Sequence, residues 1–316
     1  MRENGKKRNV PIKERIKQIP VLGKILFWLY SCFKIPIRFK QLVDSLAYIK
    51  HANAIISGRC CYLGDNLAIT RVRDFMMFVN TKDMMLTPYL IMYGCWEIHI
   101  TPLFEGLIKE GFTVIDIGAH MGYYTVTAGL RVGRSGRVYA FEPAPNNYDI
   151  LRRNIEVNGL SNIVIPSQKA LLNKEGEVEF RAYETQTAGS SIFTKNPQTA
   201  GQTISVQTTT LDAFLGDNLK VDLIKLDAEG AEPLVFEGMK NVIKNSPNLK
   251  IIMEFAPGLI AASGAKPEEF LRSILDMGFS IKLIDRYSSK LTNYTKYNFD
   301  ALLNCEIEDL LLQKKS

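Results

Sequence analysis

The stretch Val114-Ile-Asp-Ile-Gly-Ala-His-Met-Gly-Tyr-Tyr-Thr125 reads as a buried strand, a tight glycine turn and the start of a helix. A second strand, Arg137-Val-Tyr-Ala-Phe-Glu142, closes on a carboxylate 26 residues after Asp116. That order of elements builds a nucleotide or nucleoside pocket at the carboxyl edge of a parallel sheet. Gly118 lets the backbone turn without a Cβ clash, and Gly122 lets the helix start sit close to a ligand. Glu142 is placed to accept hydrogen bonds from ribose hydroxyls.

The glycine spacing separates two ligands. A dinucleotide site shows G-x-G-x-x-G, which lays a pyrophosphate on the amides of the helix start. Here the pattern is D-x-G-x-x-x-G, with Asp116 two residues before Gly118. An acid there repels a pyrophosphate and suits an ammonium, which argues against a nicotinamide dehydrogenase. S-adenosylmethionine (SAM) carries a ribose, an ammonium, a carboxylate and a sulfonium, and no phosphate. On this reading Gly118, Ala119, His120 and Gly122 form the loop under the methionine part. Asp116 binds the ammonium directly or through water. Tyr123 and Thr125 open the helix, where backbone amides favour the SAM carboxylate. Glu142 takes the ribose, and Pro143 stiffens the turn after it.

Three further stretches extend the pattern: Phe141-Glu-Pro-Ala-Pro-Asn-Asn147, Leu151-Arg-Arg-Asn-Ile-Glu-Val-Asn158 and Val221-Asp-Leu-Ile-Lys-Leu-Asp-Ala-Glu-Gly-Ala-Glu232. Together these resemble the FkbM family of SAM-dependent methyltransferases. The resemblance runs from about Tyr93 to Asp285 and includes the lead-in Gly94-Cys-Trp-Glu97. Family members often carry Val where Ala228 stands. The resemblance implies methyl transfer, usually to an oxygen on a sugar or another small or secreted molecule. It also implies a seven-stranded Rossmann-like class I sheet with an antiparallel last strand, and it puts Lys169-Ala170 near the adenine.

Asp227 ends the fourth strand, and in this sheet order it faces the methyl-transfer point. Glu229 and Glu232 follow it, and Glu254 ends the fifth strand. Methyl transfer is an in-line displacement in which the enzyme mainly positions the partners. A hydroxyl acceptor has a high pKa and needs a base or a metal ion to become nucleophilic. Asp227, Glu229, Glu254 and His120 are the candidate bases. Asp227 and Glu254 are alternatively candidate oxygen ligands for Mg²⁺ or a similar hard ion. Glu229 and Glu232 also suit the amino end of the following helix as caps.

Alternating strands and helices imply an α/β fold, a largely parallel sheet with helices on both faces. Strands are expected at 113–117, 137–142, 162–166, 221–227, 249–254, 279–284 and 299–305. A helix is expected from about Trp96 to Lys109, terminated by Gly111. Between the third and fourth strands, Glu177–Arg181 and Ile204–Thr208 alternate apolar and polar residues and suit pairing at an edge. The Thr185–Gln202 connector is a candidate lid or acceptor loop. Three regions follow: a basic amphipathic segment over residues 1–45, a cap or lead-in over 46–110, and a methyltransferase domain over 111–310. In the cap, Cys61-Tyr-Leu and Met76–Val79 read as short strands around the turn Gly64-Asp-Asn66.

The chain has 316 residues, of which 46% are apolar and 23% charged, enough for a full core. Residues 1–40 hold eleven Lys or Arg against Glu3 and Glu14, a net +9; with +6 overall, the rest is −3. A catalytic part without a basic surface disfavours a nucleic-acid substrate. Five cysteines form no C-x-x-C pair, which fits a reducing cytoplasm, with Cys60 and Cys61 as small buried residues. His51 and His99 lie outside any motif and read as structural. The apolar run Ile25–Phe33 is far shorter than the roughly 20 residues of a membrane span. Basic residues followed by an aromatic-rich amphipathic stretch suit an anionic membrane surface at its cytoplasmic face. The expected activity is O-methylation of a sugar, glycan or glycolipid-type acceptor. N- or C-methylation of a peptide or natural product is the enzymatic alternative. A SAM-binding regulatory or scaffolding subunit is the non-catalytic one, and the carboxylates at the strand ends argue against it.

Overall fold

The computed structural model describes residues 59–183, 185, 189–193, 201–216, 219–294 and 299–314. The basic amphipathic segment and His51 lie outside the described residues. Cys60–Ser316 forms one compact unit.

The lead-in begins with β1 (Cys60–Gly64), β2 (Leu67–Val72) and β3 (Phe75–Asn80), an antiparallel three-stranded sheet in that order. Both short strands expected in the cap are present. Cys61 is exposed rather than buried, because it lies on the open edge strand of this sheet. The outer edge of β3 has no strand partner. Instead, Asn158 accepts from the Met76 amide at 3.1 Å and donates to the Met76 carbonyl at 2.7 Å. Asn154 does the same for Phe78, at 2.6 and 3.0 Å. Helix neighbours four residues apart lie on one face, and β-strand residues two apart lie on one edge. The two carboxamides therefore stand in for a strand.

The helix expected over 96–109 is shorter, Thr101–Leu107, and a helix that was not expected, Leu86–Tyr93, precedes it. Gly94 stops the earlier helix in a left-handed turn at φ 65°, and Pro102 opens the later one. Proline suits only the first turn of a helix, so Pro102 sets the start at Thr101 and leaves Ile98 outside the helix.

The main sheet comprises β4 (Thr113–Ile117), β5 (Arg137–Phe141), β6 (Val164–Ser167), β10 (Leu223–Leu226), β11 (Lys250–Phe255), β12 (Phe279–Ile284), β13 (Leu291–Asn293) and β14 (Glu308–Lys314). Their order is β13-β12-β14-β11-β10-β4-β5-β6. The five strands from β11 to β6 are parallel, and β14 runs antiparallel between β11 and β12. This is the expected seven-stranded sheet with its antiparallel last strand, extended at one edge by the three-residue β13.

The last strand is not at 299–305, where the structure has a helix, Phe299–Leu303. It lies at Glu308–Lys314, where Leu310, Leu311 and Leu312 are fully buried between two neighbours. Such a strand shows a continuous apolar run rather than alternation, and the run Ala301–Leu303 mimics it.

Strand residues alternate between two cores. Val114, Val138, Ala140 and Ile252 face helices Tyr123–Val132 and Pro145–Val157. Ile115, Phe141, Ile251 and Met253 face the helices that follow β10 and β11. The segment between β6 and β10 forms a second small sheet. β7 (Ala170–Leu171), β9 (Gly201–Thr209) and β8 (Gly176–Tyr183) lie in that order, with β8 and β9 paired antiparallel. The expected pair therefore forms, on a sheet of its own.

Candidate functional site

The chain winds from β4 outward through β5 to β6, then crosses back to β10. The reversal opens a crevice at the carboxyl ends of β4 and β10, where ligands bind in open α/β sheets. A cavity of about 360 Å³ lies there, within the range of small-molecule sites.

The turn after β4 forms its floor. Gly118 and Ala119 donate their amides to the Phe141 carbonyl at 3.0 and 2.9 Å. Gly118 has φ +76°, and a Cβ there would run into the Asp227 carbonyl oxygen. Only glycine lets the two strand ends come this close. His120 also adopts a left-handed φ of 52°, and its amide donates to Glu142 Oε2 at 2.8 Å. Glu142 Oε1 accepts from the Ala144 amide at 2.9 Å. Burial lifts the Glu142 carboxyl to about 7, against the pull of these amides. Asp116 is buried and accepts the Thr125 hydroxyl at 2.5 Å; burial raises it to about 6. Burial lowers the His120 imidazole, so it is neutral at neutral pH.

The cleft brings together Asp116, Gly118, Ala119, His120, Tyr123, Glu142, Pro143, Ala170, Asp227, Glu229 and Glu254. Gly122 and Thr125 stand behind this wall rather than on it. The Tyr123 hydroxyl points into the lead-in, 3.3 Å from Cys95 Sγ and 3.2 Å from Thr101 Oγ1. Glu232 is used by the turn before its own helix. It accepts from the Ala228 and Gly230 amides at 2.9 and 3.0 Å, so it acts as a cap. His99 pairs with buried Asp309 at 2.8 Å.

Opposite the floor, one oxygen each of Asp227, Glu229 and Glu254 lie within 4.8 Å of one another. Burial, then the neighbouring Asp227 charge, raises the carboxyls of Glu229 and Glu254. Three carboxylates this close repel one another, which favours a retained proton or a nearby cation. One ammonium is at hand. Lys225, 2% exposed, lies 3.3 Å from Asp227 Oδ2 and 3.9 Å from Glu97 Oε2, over the Tyr124 ring. Burial works against its charge, but Glu97, Asp227, Asp309 and Glu254 outweigh it and hold its pKa above the ordinary lysine value.

Glu97 and Lys225 were not among the expected site residues. Their motifs were visible, but the side chains meet only in three dimensions. The signal for Glu97 was an acid directly after the uncharged stretch Met84–Trp96. The mouth of the cleft is lined by Met85, Leu86 and Trp96 from the lead-in and by Ser190, Ser191 and Ile192 from the connector. Ser191 donates to the Glu229 carbonyl at 2.7 Å. The remainder of the expected lid lies largely outside the described residues.

This strand order, with a glycine turn after the first strand and an acid after the second, defines the class I SAM-dependent methyltransferase fold. The methyltransferase FkbM domain matches residues 116–281, more than half of the chain, and the chain belongs to that family. It is 30% identical over 159 residues to the probable cobalt-precorrin-6B C(15)-methyltransferase (decarboxylating) of Saccharolobus solfataricus, covering 46% of this chain and 78% of that protein. Matches to proteins of the same description from Sulfurisphaera tokodaii and Sulfolobus acidocaldarius span only 45% and 42% of their lengths. The hexuronic acid methyltransferase AglP of Haloferax volcanii is 26% identical over 139 residues, 43% of this chain and 54% of that protein. Among solved structures, M. jannaschii TYW2 in complex with AdoMet has a TM-score of 0.40 and 16% identity, covering 80% of this chain and 87% of that one.

Proposed function

We propose that the protein methylates a hydroxyl oxygen of a sugar, glycan or glycolipid-type acceptor, using SAM. The carrying observation is the group of three carboxylates at the ends of β10 and β11, on the cleft that holds the glycine turn and Glu142. SAM supplies an electrophilic methyl on a sulfonium. Glu142 holds the ribose hydroxyls, and the turn Gly118–Gly122, braced by the Asp116–Thr125 hydrogen bond, holds the methionyl end. Ala170 and Pro143 flank the base. The hydroxyl acceptor enters past Met85 and Ile192 and gives its proton to the carboxylate group or to neutral His120. The similarity to a hexuronic acid methyltransferase supports a sugar acceptor. The similarity to a C-methyltransferase keeps carbon methylation as the second reading.

Asp227, Glu229 and Glu254 also fit a hard divalent cation such as Mg²⁺, since oxygen donors alone suit that chemistry. Bound there, it would acidify an acceptor hydroxyl. A panel of sugar and glycolipid acceptors with methyl-labelled SAM tests the reaction, and no transfer to any of them would sink the sugar reading. The two ways of activating the acceptor separate on pH and chelation. The raised Glu229 and Glu254 carboxyls keep their protons to higher pH. A metal-free base therefore gains activity as pH rises through their folded pKa values, and EDTA leaves the rate unchanged. A metal enzyme loses activity in EDTA, and its rising limb lies at lower pH.

A cytoplasmic setting and attachment to an anionic membrane through residues 1–40 complete the proposal. The net +9 of that segment supports it. None of the described helices is long and apolar enough to cross a membrane. The full chain is expected to float with anionic vesicles and to stay behind once residues 1–40 are removed; equal partition of both would refute attachment.

A further inference from the structure

We propose that Glu97 is the carboxylate that receives the α-ammonium of the cofactor's methionyl end, an inference that rests on the SAM-dependent reading above. An amino-acid zwitterion needs hydrogen-bond donors for its carboxylate and an anion for its ammonium, a few ångströms apart. The start of helix Tyr123–Val132, where Tyr123 and Tyr124 line the cleft, supplies the donors, while Asp116 takes the hydroxyl and the amide of Thr125 behind them. Glu97 is fastened to that same helix, because the Tyr124 hydroxyl donates to Glu97 Oε2 at 2.6 Å.

The other carboxylates on the cleft are committed elsewhere. Glu142 braces the turns after β4 and β5 through backbone amides, and its remaining lone pairs are assigned to the ribose. Asp116 is 1% exposed, and its Oδ2 is taken by Thr125. Asp227 faces Glu229 and Glu254 across the cleft. Glu97 keeps Oε1 for a ligand.

The backbone supports the same role. Glu97 sits at φ 42°, a left-handed conformation that costs a non-glycine residue free energy and concentrates at functional sites. Its carbonyl accepts from the Ile100 and Thr101 amides at 2.8 and 2.9 Å, which holds the bend and aims the side chain into the cleft. Burial, opposed by Lys225, raises the carboxyl, so an incoming cation is favoured there.

Calorimetry on the full chain with three ligands tests this. SAM and S-adenosylhomocysteine carry the amino-acid end, and 5′-methylthioadenosine lacks it. Glu97→Gln should weaken the first two by at least ~10-fold, the loss of one charged hydrogen bond, while methylthioadenosine binds as to wild type. Glu97→Gly, which suits the left-handed φ, should give the same pattern and guards against a folding defect in the first variant. Equal weakening of all three ligands would mean a structural role only. Weakening of SAM alone would mean a contact with the sulfonium, and unchanged binding would mean none. Each of these overturns the proposal. Absence of SAM binding by wild type would instead bring down the cofactor reading, and the proposal with it.

Discussion

Glu142→Ala is expected to abolish SAM binding at concentrations where wild type saturates. The carboxylate does two things at once. Its oxygens hold the His120 and Ala144 amides, which shapes the turns after β4 and β5, and its free lone pairs face the cleft. Each lost hydrogen bond to a charged group costs about 1.5–3 kcal/mol, so two ribose contacts amount to about 100-fold or more in Kd. Glu142→Gln tests the charge separately. Because burial lifts the wild-type carboxyl to about 7, the strong acceptor form grows in as pH rises through neutrality. Wild-type affinity for SAM should rise with pH over that window, and the Gln variant should not follow it. Isothermal titration at about pH 6 and 8 reads both effects, and wild-type affinity in the Ala variant would dismiss Glu142 as the ribose acceptor.

Lys225→Met should be the most destabilising single change in the site, by about 3–5 kcal/mol near neutral pH. Methionine fills most of the space of the lysine stem but leaves Glu97 and Asp227 without the ammonium that faces both. The sign of the pH dependence follows. Glu97 and Asp116, already raised by burial, lose the cation that opposes the rise, so their folded pKa values move further above the unfolded ones. Their protonated forms favour folding below the unfolded pKa, and that contribution is lost as pH rises through the folded pKa. Asp116, at about 6 in the wild type although Lys225 pulls it down, marks the lower bound of that window. The stability gap between variant and wild type should therefore be small near about pH 5 and widest above about pH 7. Urea midpoints at both values check this; a gap independent of pH would mean that Lys225 matters for packing rather than charge.

Local chemistry explains what was legible in the sequence. The turn Gly118–Gly122 and the acid at Glu142 were visible because a positive φ and a strand-end carboxylate are written into a few neighbouring residues. The parallel strands were visible for the same reason, as short apolar runs bounded by glycine and charge. The last strand was misplaced because β14 is defined by the partners it lies between, and Ala301–Leu303 offers a similar apolar run nine residues before Leu310–Leu312. Glu97 escaped because its role depends on Tyr124 and Lys225, distant in sequence, converging on one oxygen. The clustering of Asp227, Glu229 and Glu254 was legible from strand order, and so was the capping role of Glu232, because an acid at a helix start is a local signal.

The two asparagines that stand beside β3 bear on how the enzyme behaves in a crowded solution. A bare strand edge is a template on which another chain can extend the sheet, the first step toward aggregation. Asn154 and Asn158 fill the β3 edge in register, so the lead-in sheet leaves only β1 open among the described residues. At β1 the pairing register slips between Tyr62 and Gly64, and such a bulge spoils regular addition of a strand. Both edges of this sheet are thus blunted, one by two carboxamides and one by a bulge, with no charge placed on either edge strand between Cys60 and Gly64 or between Phe75 and Asn80.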